Sequence, residues 1–157
     1  MKITLPDESI KELPAGTTGL DVALSIGPGL AKSAIAVNID GVQKDLCDPI
    51  DGDCSLSIIT LDSEEGLEIM RHTVAAQVLA RAIKNIYSDA KLAIGPTIEN
   101  GFYYDFSTQE TISTDDLPRI EDEMKKIIKE KSEIKKSFQD KNNAIGCFES
   151  RSEDYKI

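Results

Sequence analysis

Cysteine, histidine and long apolar runs are all scarce in this chain of 157 residues. Its three cysteines, Cys47, Cys54 and Cys147, form an odd set without a C-x-x-C pair, so they spell neither a zinc knuckle nor a dithiol redox site and read as reduced thiols. No apolar run approaches the roughly 18 residues that a membrane span requires, and Met1-Lys2-Ile3-Thr4-Leu5-Pro6 lacks the apolar core of a signal peptide. These absences point to a cytoplasmic home with no membrane partner. Gly27-Pro28-Gly29 is not followed by Gly-Lys-Ser/Thr, so it is helix punctuation rather than a phosphate loop. No internal repeat, low-complexity tract or Gly/Ser linker is present.

Basic residues are also few: 18 against 28 acidic ones, for a net charge of -10. That balance argues against a nonspecific polyanion binder, because phosphate binding relies on Lys and Arg releasing counterions. The charge is uneven, however. Residues 1 to 62 carry 4 Lys and 10 Asp or Glu, a balance of -6. Residues 125 to 141 carry 7 Lys against Glu130, Glu133 and Asp140, a balance of +4, so a nucleic-acid surface belongs to the second half.

With 40% apolar residues, the chain can bury a core as one modest domain or two small abutting ones. The first 62 residues read as strand Lys2 to Leu5, strand Ser9 to Leu13, and then a helix capped by Thr18 that buries Leu20, Val22, Ala23 and Ile26 and stops at Gly27-Pro28-Gly29. A strand Ala34 to Ile39 turns at Asp40-Gly41 into a partner run, and Ser55 to Leu61 adds another strand. Two strands, a helix and two or three strands is the order of a β-grasp unit, an α+β arrangement.

Asp62-Ser63-Glu64-Glu65 has the pattern of a capping box, Asp62 receiving a helix N–H and Glu65 reaching back. The helix that follows is long. Leu67, Met70, Val74, Val78, Ala82 and Ile86 recur along it, and Ile69, Ala76, Leu79 and Ile83 widen the stripe, which predicts that most of it is buried. Lys91 to Ile94 and Phe102 to Phe106 read as strands joined through Gly95-Pro96 and Asn100-Gly101, the latter suited to positive φ. A second helix starts at Ser113 or Thr114 and tolerates Pro118 in its first turn. Ile134 to Phe138 suggests a short strand and Ala144 to Phe148 another helical turn or two. Tyr155 to Ile157 reads as the start of a strand.

Two blocks carry a resemblance. Glu64-Glu65-Gly66-Leu67-Glu68-Ile69-Met70-Arg71-His72-Thr73, followed by Lys91-Leu92-Ala93-Ile94-Gly95-Pro96-Thr97-Ile98-Glu99-Asn100-Gly101-Phe102-Tyr103-Tyr104-Asp105-Phe106, closely resembles the N-terminal region of threonyl-tRNA synthetases. The resemblance implies a β-grasp TGS domain over residues 1–62. Over residues 63–157 it implies the first part of an editing domain, an incomplete α+β body with a long buried helix and an antiparallel sheet. It further implies a homodimeric parent that joins threonine to tRNA(Thr), with ATP, magnesium and zinc in a class II core. Neither that core nor the later Cys-Arg-Gly-Pro-His editing segment is in this sequence. This portion would contribute acceptor-arm docking and proofreading of seryl-tRNA, next to the remainder of the synthetase. Other readings are a non-enzymatic RNA-binding or regulatory TGS module and a free-standing aminoacyl-tRNA hydrolase, the latter opposed by the missing histidines.

The family's editing helix carries His-x-x-x-His, whose spacing puts two imidazoles on one face to position a water. Here His72 is the single histidine. Counting forward from it puts Ala76 at the second position, whereas aligning backward from Leu79 and Ala82 puts Gln77 at the second position and Thr73 at the first. A glutamine can orient water but cannot take its proton. The bland alternative is a helix histidine beside Glu68 with no catalytic task. Tyr103 and Tyr104 alternate faces on a strand, so one turns to the core and the other is free to stack on a terminal adenosine or ribose. Lys125, Lys126 and Lys129, with Lys131, Lys135 and Lys136, flank an amphipathic helix, either as a solvated face or as contacts to tRNA phosphates. No metal ligands are assigned.

Overall fold

The computed structural model describes residues 1–157, which divide into two compact units, Met1–Met70 and Arg71–Ile157. The first is a mixed five-stranded sheet in the order β2-β1-β7-β4-β5, from β1 (Lys2–Thr4), β2 (Ile10–Glu12), β4 (Ala34–Ile39), β5 (Val42–Asp45) and β7 (Cys54–Thr60). A small antiparallel pair, β3 (Thr17–Thr18) with β6 (Pro49–Ile50), completes it. The parallel neighbours are β1 and β7, and Asp40 and Gly41 turn the β4–β5 hairpin with φ of 49° and 83°. This is the α+β, β-grasp arrangement that the element order predicts.

Helix α1 (Gly19–Ile26) starts on a capping box in which the Thr18 hydroxyl accepts from the Asp21 N–H at 3.2 Å and the Thr18 N–H donates to the Asp21 carboxylate at 2.9 Å. It lays Val22 and Ala23 on the sheet, and the core closes around Ile3, Val22, Val37, Ile39, Ile50 and Leu56. Gly27 ends α1 as expected. Pro28 then opens a further short helix, α2 (Pro28–Ser33), because its fixed φ and missing N–H suit a first helical turn.

The long helical stretch begins with α3 (Glu64–Thr73), passes through a π-helical segment (Val74–Leu79) and continues as α4 (Ala80–Ile86). Its cap is Ser63, whose hydroxyl accepts from the Gly66 N–H at 3.0 Å; the expected Asp62–Glu65 box is displaced by one residue. Burial is uneven as well. Leu67 is 43% exposed, and the buried positions are Gly66, Ala75, Ala80, Ala82 and Ile83. The expectation of a mostly buried helix therefore holds for its later part.

The second unit packs Ile83, Tyr87 and Ala90 against Ile120 of α5 (Leu117–Glu130). A Ser113–Asp116 capping box and a 3₁₀ turn at Thr114–Asp116 precede α5, with Pro118 in its first turn. Between these helices runs a nested hairpin. Its outer pair is β8 (Lys91–Leu92) with β11 (Phe106–Ser107), and its inner pair is β9 (Thr97–Ile98) with β10 (Gly101–Phe102). These strands are shorter than the sequence suggests. Asn100 and Gly101 do not enter the positive-φ region, since Glu99 and Asn100 make the two-residue turn and Gly101 is already paired with Ile98.

Two further expectations fail. Residues 134–138 form no strand: no neighbouring strand offers a ladder, and Ile134 and Phe138 are 65% and 90% exposed. After α6 (Lys141–Ser150), Asp154–Lys156 is a 3₁₀ turn because side chains, rather than backbone, hold it against β8.

Candidate functional site

Gly66, packed beneath the Thr60 carbonyl, seats the start of α3 within the first unit. Beyond it, His72 is exposed and lines none of the cavities described. The π segment then intervenes. Thr73 and Ala80 on its flanks keep right-handed helical angles, so the helical path continues while one π turn takes up a residue more than an α turn. Ala76 and Gln77, the two positions reached by counting forward from His72 and by aligning backward from Leu79 and Ala82, both lie inside this π segment.

The chain gives notice of this in its apolar spacing. Met70, Val74, Val78, Ala82 and Ile86 are separated by four residues at every step, and each step overshoots an α-helical turn by roughly 40°. Over the four steps the stripe would wind about 160° around a pure α-helix. A wider turn along the way takes up part of that drift.

Gln77 is exposed and borders two cavities. One, of about 540 Å³, is lined by Ala76, Gln77, Ala80, Arg81, Lys84, Leu92, Arg151 and Glu153. The other, of about 380 Å³, lies between Gln77, Val78 and Arg81 and the end of α5 with residues 131–135. In the first, Glu153 is 8% exposed, the one buried charged side chain of the chain. Its carboxylate lies 2.8 Å from the Lys84 ammonium and accepts a long 3.4 Å bond from the Leu92 N–H. Lys84 also donates to the Ala90 carbonyl at 2.8 Å, and Arg81 reaches Glu130 through Nη2 at 2.7 Å. Arg151 is in no ion pair.

Arg71 donates to the Glu99 carbonyl at 2.8 Å, tying the hairpin tip to the turn that bears His72. The two tyrosines lie in the connection between β10 and β11 rather than on the expected strand, and they differ in exposure. Tyr103 is 48% exposed. Tyr104 is half-buried on Gly95, where a Cβ would come within 2.2 Å of its ring, and the Lys156 ammonium stands 5.9 Å from its centroid. Lys156 also donates to the Ala93 carbonyl at 2.5 Å. Asp154 binds Lys91 and holds that ammonium above its ordinary pKa, chiefly through their hydrogen bond.

The lysine run on α5 is less basic than its composition suggests. Lys125 pairs with Asp122 at 3.2 Å and Glu121 at 3.8 Å, and Lys126 with Glu123 at 3.1 Å. Lys129 makes no such pair. The structure thus brings Gln77 into a cavity with Arg81, Lys84, Arg151 and Glu153, none of which the sequence had marked. It leaves His72, Tyr103 and Lys129 exposed, and no three His, Cys, Asp or Glu side chains converge as metal ligands.

Against known proteins, residues 1–60 match the TGS domain family. The whole chain is 48% identical to threonine–tRNA ligase of Acetivibrio thermocellus and 48% identical to threonine–tRNA ligase 1 of Bacillus subtilis. It is 45% identical to threonine–tRNA ligase of Francisella tularensis subsp. novicida. In each case all 157 residues align. Over its whole length the chain is similar to the N-terminal segments of these ligases. It spans about a quarter of the length of these relatives, 24 to 25%.

Proposed function

We propose that this chain is the N-terminal part of a threonine–tRNA ligase, with residues 1–62 its TGS domain and residues 63–157 the opening of its editing domain. The parent, a cytoplasmic homodimer, charges tRNA(Thr) with threonine at the expense of ATP. The ATP, magnesium and zinc sites belong to the class II core of the parent, outside these residues. The observation that carries the reading is the match of all 157 residues, at 45 to 48% identity, to about a quarter of proteins that are threonine–tRNA ligases.

Within the parent this segment docks the acceptor arm of tRNA and forms one wall of the cleft in which seryl-tRNA is hydrolysed. Tyr103 offers a free ring for stacking, and Tyr104 packs on Gly95 beside it. Lys125, Lys126 and Lys129 give salt-sensitive contacts to phosphates, Lys129 being the member not already committed to a carboxylate. His72 and Gln77 are the editing side chains on the helix. Gln77 can hold a water but cannot accept its proton, so proofreading requires a base from elsewhere in the parent.

The expected result is that the 157-residue chain binds tRNA weakly and salt-dependently and does not deacylate seryl-tRNA. Hydrolysis by this chain that disappears on His72→Ala would overturn the second part. Binding unchanged by reversing the charges of Lys125, Lys126 and Lys129 would overturn their role.

A further inference from the structure

The Asn100-Gly101 pair has no part in the proposed tRNA contacts, and it does not supply the positive-φ turn that its composition suggests. What it does place together is a carboxamide and an unshielded backbone nitrogen. Asn100 is exposed at the tip of the inner hairpin, and its side chain has no hydrogen-bond partner. On Gly101 a Cβ would meet nothing within 4 Å, so no neighbouring atom screens its nitrogen. The ladder behind the turn consists of Gly101 with Ile98 and Phe102 with Thr97, and Ile98 is 51% exposed. So short a ladder opens locally and releases the Gly101 N–H. The other four asparagines lack this combination. Asn38 lies inside β4, and Asn85 donates to Glu123 at 2.9 Å. Both precede isoleucine, whose branched side chain crowds the nitrogen that would have to react. Asn142 and Asn143 open α6, where the Asp140 cap holds the Asn143 N–H at 3.0 Å and its carboxamide as well.

We propose that Asn100 is a self-modification site, at which the chain converts its own carboxamide to a carboxylate. The Gly101 nitrogen attacks Asn100 Cγ; an N–C bond forms, the Cγ–Nδ2 bond breaks, and the Gly101 proton leaves with the amide nitrogen as ammonia. Water then opens the resulting cyclic imide. Addition at the side-chain carbonyl gives aspartate, and addition at the main-chain carbonyl gives isoaspartate, in which the backbone runs through Cβ. Nothing is oxidised or reduced, and water is the co-reactant. Either product adds a negative charge beside Glu99 in a chain already at -10. Isoaspartate also lengthens the turn by one backbone atom, which a two-residue turn closed by Gly101 and Ile98 cannot absorb without breaking that pair. The Glu99 carbonyl, which accepts from Arg71 at 2.8 Å, belongs to this turn. Conversion of Asn100 therefore loosens the tie between the hairpin tip and the helical turn that bears His72, as a slow chemical timer on that end of α3.

The test incubates the whole 157-residue protein at neutral pH and follows it by peptide mass mapping, with an isoaspartate-specific methyltransferase to count that product. The peptide carrying Asn100 should gain the mass of an amide-to-acid conversion before any peptide carrying another asparagine. Amide exchange at Gly101 and Phe102 should be severalfold faster in the converted protein than in the fresh one. Gly101→Ala has room for its methyl group and meets no positive φ, so it folds, and it should slow the conversion severalfold by crowding the attacking nitrogen. Asn100→Gln, exposed and unbonded, should abolish it on the same timescale, because the longer side chain must close a larger ring. Earlier conversion at Asn38, Asn85, Asn142 or Asn143, or a rate at Asn100 indifferent to Gly101→Ala, would overturn the site. Isoaspartate at position 100 with unchanged exchange at Gly101 and Phe102 would overturn its action on the hairpin. None of these outcomes depends on tRNA, so the tRNA reading stands or falls separately.

Discussion

Replacing glycine by alanine in two helices of this chain should have opposite effects. Gly66 lies in the first turn of α3, and a Cβ built there sits 1.9 Å from the Thr60 carbonyl oxygen and 2.8 Å from its carbon. Those are backbone atoms at the end of β7, so no side chain can swing aside. The start of the helix must move, which also loosens the Gly66 N–H bond to Ser63 and the Ser63 hydroxyl bond to Thr60. Such overpacking costs roughly 1–3 kcal/mol, enough to cancel the gain of up to about 1 kcal/mol that alanine brings to a helix. Gly146 in α6 has nothing within 4 Å of its Cβ position, so there alanine keeps that gain of about 1 kcal/mol. Residues 1–70 contain no Phe, Tyr or Trp, whereas all four tyrosines lie beyond them. Tyrosine fluorescence therefore follows the second unit in urea, and amide exchange of the β4 and β7 strands follows the first. With a slope of about 1–3 kcal/mol per molar urea, Gly146→Ala should raise the tyrosine midpoint by several tenths molar. Gly66→Ala should speed exchange in β7 severalfold. A Gly66→Ala protein with unchanged or slower exchange would refute the assignment of a close contact at Thr60.

Two other perturbations follow from the charges. Lys84→Ala strips the cation from a carboxylate that is 8% exposed and should cost roughly 3 kcal/mol, whereas Glu153→Ala leaves an ammonium still bonded to Ala90 and should cost roughly 1 kcal/mol. The double variant should be more stable than Lys84→Ala alone, and equal, additive costs in urea titrations would contradict the burial of that pair. In acid, Asp116 and Asp89 are among the carboxylates that matter. The Ser113 N–H lowers the Asp116 pKa, and the Gln109 N–H followed by the Thr108 hydroxyl lowers that of Asp89. Groups lowered by folding add stability above their unfolded pKa, near pH 4, and lose it as pH falls through the folded value. The melting temperature should therefore decline below about pH 4, and less steeply in Asp116→Asn, which a scan from pH 7 to 3 would reveal.

The β-grasp unit was legible because each of its elements carries its own punctuation: Thr18 with Asp21, Asp40 with Gly41, and alternating apolar residues in β4 and β7. The hairpin between residues 91 and 107 was legible in outline. Its turn was misjudged because Asn-Gly is a strong signal for positive φ, while pairing of Gly101 with Ile98 fixes the turn one residue earlier. The failed strand at Ile134 to Phe138 has a different cause. Residue types can favour an extended backbone, but a ladder needs a neighbour, and that depends on long-range placement. The same holds for the Arg81, Lys84, Arg151 and Glu153 cluster, whose last two members lie about 70 residues beyond the first two. The π segment alone left a local trace, in the unvarying four-residue steps from Met70 to Ile86, which a helix of ordinary pitch cannot keep on one side.

A helix with a wide turn in its middle has no single ruler. Roles carried over from a relative whose helix is straight will fall correctly on whichever side of Val74–Leu79 the comparison starts from, and one place off on the other. For this chain, mutagenesis guided by such a comparison should therefore treat Ala76 and Gln77 as a pair and change both, because a substitution at one of them alone tests only half of the correspondence.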